Sequence, residues 1–140
     1  MKTPLILFPH QPFSPKEIDS EFIAEYEAAK VIGFATALYD HEAVESGNAA
    51  NALKRMPASE VNQPTILRGW MVPGEKYEGL YRALEAKGYK PQTSPEDYSQ
   101  AHYIPYAYPL TEGHTPKSAW IEGDDSDGAW QMYQNFKESD

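Results

Sequence analysis

The sequence predicts a small three-layer α/β domain on a mostly parallel sheet of four or five strands, followed by an irregular C-terminal segment. Three observations lead there. LILF, at 5–8, is a short continuous apolar run of the kind found in strands covered on both faces. FATALYD at 34–40 and PTILRGW at 64–70 read as two further strands. Stretches with helical spacing lie between the runs, and such alternation implies parallel strands joined by right-handed crossovers.

Taken in order, Leu5–Phe8 is the first strand, closed by Pro9, His10 and Pro12. Ser14, Pro15 and Glu17 read as a helix cap, a first-turn proline and a capping box, with Asp19 as the alternative cap. Ile18, Phe22, Tyr26 and Ala29 repeat at helical spacing, and Gly33 ends that helix. The second strand runs into Asp40-His41. Residues 42–62 give only short helical turns around Gly47. The third strand leads straight into Arg68, Gly69 and Trp70.

Pro73 then opens an amphipathic helix bearing Tyr77, Leu80, Tyr81 and Leu84, closed by Gly88. YKPQT is a fourth, weaker strand, which its Pro91 assigns to a sheet edge. Ser94, Pro95 and Asp97 cap a short helix that carries Tyr98 and His102. Beyond it the texture changes. IPYAYPLTEGHTPKS reads as loop, SAWIEG at 118–123 as a short strand, EGDDSDG as an acidic turn and AWQMYQNF as a final helix. The boundary is placed at 105. Residues 1–105 form the α/β domain, and 106–140 form a Pro/Tyr-rich connector with a short strand and an acidic-aromatic helix.

Composition narrows the function. The 140 residues suit one domain of ordinary size, and the net charge is −9, with −3 on residues 1–70 and −6 on residues 71–140. Such a surface repels phosphate backbones, so nucleic acid is not the expected partner. No apolar run approaches the roughly 20 residues of a membrane span, and none forms a signal core, so the expected place is the cytoplasm. There is no cysteine, which excludes disulfides and thiol catalysis.

The known nucleotide fingerprints fail. The turn after the first strand, PHQPFSP, holds no glycine, and no glycine-rich loop ends in Lys-Ser or Lys-Thr. His10, His41, His102 and His114 show no metal-helix spacing. In calcium-loop register the acidic turn would place Gly123 first and Gln134 twelfth, so it reads as a solvated turn and helix cap. No catalytic or metal residue is assigned.

Open α/β sheets bind ligands at the carboxyl ends of their strands, where the strand order reverses. Three such ends can be read here: His10 after the first strand, Asp40-His41 after the second, and Arg68-Gly69-Trp70 after the third. Arg68 has two readings. It pairs with an internal acid, for which Asp40 is the nearest candidate, or it receives a ligand carboxylate or phosphate.

Taken together, EYEAA, the strand ending in aspartate, RGWM, the tyrosine-bearing helix, SPE, HYIP, YP and TP-K-S-A-W resemble, in order, the N-terminal region of a group of ATP-grasp proteins of bacteria and phages. The likeness covers roughly residues 5–120 and is specific only as a set. It implies a Rossmann-like pre-ATP-grasp domain, the substrate side of a carboxylate–amine ligase. In a complete family member ATP and Mg2+ activate the carboxylate, on lysines and metal ligands that follow the region matched here. The implied partners are an ATP-grasp catalytic domain, in the same or a separate chain, and a small-molecule or peptide substrate. Matched residue by residue, the resemblance puts Arg68, Gly69 and Trp70 on the substrate wall, with His102, Tyr103 and Pro105, and Trp120, in second rank; His10 and Asp40 join the substrate-binding set on the strand-end argument alone. Two rival readings stand beside this one. One is a stand-alone module binding a small anion, a peptide or a protein. The other is an interaction domain that docks through its aromatic tail.

Overall fold

The computed structural model describes residues 3–60 and 62–137. They form an α/β protein with a five-stranded sheet. The strands are β1 (Leu5–Gln11), β2 (Ser14–Ile18), β3 (Ala35–Tyr39), β4 (Gln63–Leu67) and β5 (Tyr89–Pro91). β1 pairs in parallel with β3 on one side and with β4 on the other, and β4 pairs in parallel with β5. The only antiparallel pair among the described residues is β1 with β2, in register at His10–Ile18 and Gln11–Ser14. The four parallel strands therefore lie in the order β3-β1-β4-β5, with the reversal between β1 and β4. β5 sits at an edge, as Pro91 requires.

The helices are α1 (Ile23–Ile32), α2 (His41–Glu45), α3 (Ala49–Ala52), α4 (Gly74–Ala86), α5 (Pro95–His102), α6 (Ile104–Thr111) and α7 (Ser126–Lys137). The apolar run of β1 explains how the first four are placed. Successive strand residues point to opposite faces. Leu5 and Leu7 enter one core cluster with Val44 of α2, Ala52 of α3, and Leu80 and Leu84 of α4. Phe8 enters a second cluster with Phe22 and Ala29, flanked by Ile6 and Tyr26. Phe8 meets the Tyr26 ring edge-on at 5.6 Å. Leu7, Phe8, Leu53 and Leu84 are essentially inaccessible. Each such side chain contributes about 1.5–3 kcal/mol by leaving water.

Three local readings are corrected. Ser14–Ile18 is a strand, not the first helical turn, because Asp19 takes the capping role: its Oδ1 accepts the Glu21 N–H at 3.0 Å and starts a 3-10 turn over Ser20–Phe22. Of the stretch read as loop, 112–118 has no helix, but the first half, Ile104–Thr111, is helix α6. Pro105 lies in its first turn, where no N–H is needed, and Pro109 leaves one carbonyl unbonded without ending it. SAWIEG forms no strand; Ser118 donates to the Pro116 carbonyl and no neighbouring strand offers a ladder.

The chain divides into two compact units, Met1–Tyr98 and Ser99–Asp140, a division that falls inside α5. The first holds the whole sheet. In the second, Tyr108 meets Trp120 edge-on at 5.7 Å, Lys117 lies over the Phe136 ring, and Asp125 caps α7 by accepting the Gly128 N–H at 3.0 Å. No helix among the described residues is long and apolar enough to cross a membrane.

Candidate functional site

The strand ends of the first unit converge where the strand order reverses. His10 stands at the end of β1, at the register shift where its pairing passes to β2. Asp40 follows β3 and caps α2, its Oδ1 accepting the Ala43 N–H at 3.0 Å. Asp40 N–H in turn donates to the Ala52 carbonyl, so α3 fixes the same corner. Trp70 follows β4.

These residues line two adjoining recesses. One, of about 190 Å3, is walled by His10, Asp19, Asp40, His41, Glu45 and Trp70, among others. The second, of about 270 Å3, has Phe13, Asn51, Lys54 and Arg55 around its rim. His10, Asp40 and Glu42 belong to both.

The shared wall has a definite polarity. His10 Nδ1 lies 2.8 Å from the Gln11 carbonyl oxygen. A carbonyl only accepts, so Nδ1 is the donor in this contact, and Nε2 is the ring nitrogen turned towards Asp40. Nε2 stands 3.8 Å from Asp40 Oδ2, beyond hydrogen-bond range. Nearby, His41 Nε2 lies 3.6 Å from Glu45 Oε1, and His41 Nδ1 lies 3.5 Å from the Tyr39 hydroxyl. Tyr39 is buried, and that burial, followed by Tyr98, Asp19 and Glu45, pushes its hydroxyl well above the usual phenol range.

Trp70 is half exposed and held from two sides. Its Nε1 donates to Asp19 Oδ2 at 3.3 Å, and its ring meets Phe22 edge-on at 5.4 Å. Gly69 is packed so closely on Tyr39 that a Cβ there would collide with the phenol oxygen. Phe13, at the tip of the β1–β2 hairpin, is 95% exposed with φ of +62°, a strained setting for an aromatic residue.

Arg68 pairs with an internal acid, one of the two readings from sequence, but the acid is Glu25 rather than Asp40. Its Nε and Nη2 donate to Glu25 Oε2 and Oε1 of α1, each at 2.6 Å, and its guanidinium sits over the Phe22 ring. Asp40 is therefore not its counter-ion, and Arg68 does not line either recess. The hydrogen bonds from Arg68 hold the Glu25 carboxyl below the usual carboxylate range, against the opposing effect of burial.

No family model, curated protein or solved structure matches this chain.

Of the residues picked from sequence, the structure brings His10, Asp40 and Trp70 to one crevice. Gly69 lies behind it against Tyr39. His102 ends α5, and Tyr103 precedes α6 with its ring edge-on to Tyr106 at 6.2 Å; both belong to the second unit. Sequence reasoning missed Asp19, Glu42, Glu45, Lys54 and Arg55. The signal available for Arg55 was its place in the unassigned stretch after Asp40, where a long loop at a strand's carboxyl end is ligand-facing by default.

Proposed function

We propose that this chain is the substrate-side domain of an ATP-dependent carboxylate–amine ligase of the ATP-grasp type, binding a small substrate without performing chemistry by itself. The observation that carries the binding half of this reading is the convergence of His10, Asp40 and Trp70, from three strand ends, on one crevice beside the reversal of strand order. The ligase half rests on the sequence resemblance. A three-layer, Rossmann-like arrangement belongs to the same proposal. It is supported by the two core clusters, one containing Leu7 with α4 and the other Phe8 with α1.

The crevice does not fit a magnesium triphosphate. It presents Asp19, Asp40, Glu42 and Glu45 to a polyanion, and residues 12–13 after β1 are Pro-Phe rather than a glycine turn. ATP and Mg2+ are assigned to the catalytic partner domain.

Calorimetric titration of the chain with Mg·ATP tests the division of labour. The expected result is binding no tighter than about millimolar, worth roughly 4 kcal/mol. Micromolar affinity would overturn it.

A further inference from the structure

We infer that two copies of this chain join edge to edge through β3, antiparallel about a twofold axis at Ala37, each seating Ile32 against the larger recess of the other. The inference is independent of the ligase reading. It begins from the two edges of the sheet. At one edge, β5 is three residues long and carries Lys90, which is exposed, and Pro91, which has no N–H to offer. Short length, lysine and proline are the devices that stop an edge from accepting another strand. At the other edge, β3 pairs with β1 alone among the described residues. Its five residues, Ala-Thr-Ala-Leu-Tyr, include no charge, proline or glycine. The outer side of such a strand presents a row of backbone donors and acceptors that a further strand satisfies together.

The surroundings of the two ends of β3 fit a second copy. Just before the amino end, the last two residues of α1, Val31 and Ile32, are 86% and 74% exposed. At the carboxyl end lies the recess of about 270 Å3, with Leu38, Phe13, Pro15, Ala52 and Glu42 on its wall. An antiparallel twofold brings the aliphatic pair of each copy to the recess of the other; a parallel pairing would not. Placing Ala37 opposite Ala37 sets Ala35 against Tyr39 and carries the segment of Ile32 to that of Glu42. Opposed residues then have the same parity, so the face shared with Leu7 and α4 continues across the axis. The charges agree, since Lys30 in the last turn of α1 arrives beside Glu42 of the second copy. Phe13 fits the same assignment. Its φ of +62° carries a strain that glycine at the hairpin tip would avoid, and Ile32 of the second copy covers its exposed ring.

Sedimentation equilibrium of the full chain, read against 15.8 kDa for one copy, tests the association. A reversible dimer is expected, and it should tighten as salt rises, because each copy has a net charge of −9. Ala35→Lys, an edge lysine at an exposed position, and Ile32→Asp should each weaken it roughly tenfold or more. Phe13→Gly should weaken the dimer while leaving the melting temperature of the dilute monomer unchanged or higher, which a purely structural Phe13 would not do. Cross-linking reads the orientation. The chain has no cysteine, so Ile32→Cys and Glu42→Cys proteins can be mixed and treated with a short bis-maleimide. Products joining the two variants are expected over products joining either to itself. A monomer at every concentration up to about a millimolar would overturn the inference. So would a dimer indifferent to Ala35→Lys, Ile32→Asp or Phe13→Gly, or cross-links chiefly of one variant with itself.

Discussion

The guanidinium of Arg68 grips the carboxylate of Glu25 at two points, Nε to Oε2 and Nη2 to Oε1, each 2.6 Å long. This joins the end of β4 to α1 across 43 positions of sequence. It gives the arginine a structural partner before any ligand arrives. Both side chains remain about half exposed, so the pair sits in water-screened surroundings.

Arg68→Ala should therefore cost less than about 1 kcal/mol, in the range of exposed ion pairs rather than buried ones. The sign with pH is fixed by Glu25. Its folded carboxyl titrates lower than its unfolded one, so the pair stabilises above the unfolded value and its contribution disappears as pH falls through the folded value. A double-mutant cycle with Glu25→Gln, measured by denaturant unfolding at neutral and strongly acid pH, checks both points. A loss of several kcal/mol, or coupling that persists in acid, would contradict them.

Gly69→Ala should destabilise the first unit by about 1–3 kcal/mol, because the new methyl group has to displace the Tyr39 hydroxyl from a packed site. Tyr39→Phe removes the colliding oxygen. The double variant should then recover most of the loss, leaving only the milder contact with the ring carbon. Thermal unfolding of the four proteins reads this directly; strictly additive losses would show that the collision is not with the phenol oxygen.

Three phenols predict an alkaline limit. Tyr39 and Tyr89 are pushed up, chiefly by burial, and Tyr77 is pushed up to about 12, again chiefly by burial. Tyr77 is stacked on Tyr98 at 3.8 Å and donates to the Thr93 carbonyl. Unfolded tyrosine titrates near 10, so the fold favours the neutral form. This stability is whole below about 10 and declines as pH rises through the folded values. Unfolding should therefore coincide with tyrosinate absorbance in an alkaline titration. Tyr77→Phe should flatten the decline above about pH 10. Full ionisation of the tyrosines in a still-folded chain would refute it.

The parts legible from sequence were those governed by local pattern. LILF, ATALY and PTIL lie in strands because apolar runs of that length have nowhere else to go. Gly33 and Gly88 end α1 and α4 with positive φ. The three strand ends followed from these. What stayed hidden depended on distance or competition. Glu25 meets Arg68 only through the rotational setting of α1 on the sheet, which periodicity does not determine to the precision of a side chain. Ser14-Pro15 could begin a helix as well as a strand, and Asp19 decided between them by taking the cap. Arg55 lies past a pair of short helices whose packing against α4, rather than their own propensity, brings the following turn to the crevice.

β1 is bonded on both sides to strands that come later in the chain. As the polypeptide leaves the ribosome, Leu5–Phe8 emerges before both of its parallel partners. The neighbouring hairpin engages only His10 and Gln11, so it leaves the apolar stretch uncovered. That stretch has to wait for β3 and then β4. The strand that holds the sheet together in the finished protein is thus the most aggregation-exposed part of the nascent one, and mutations that delay β4 would be felt first as lost yield rather than as lost binding.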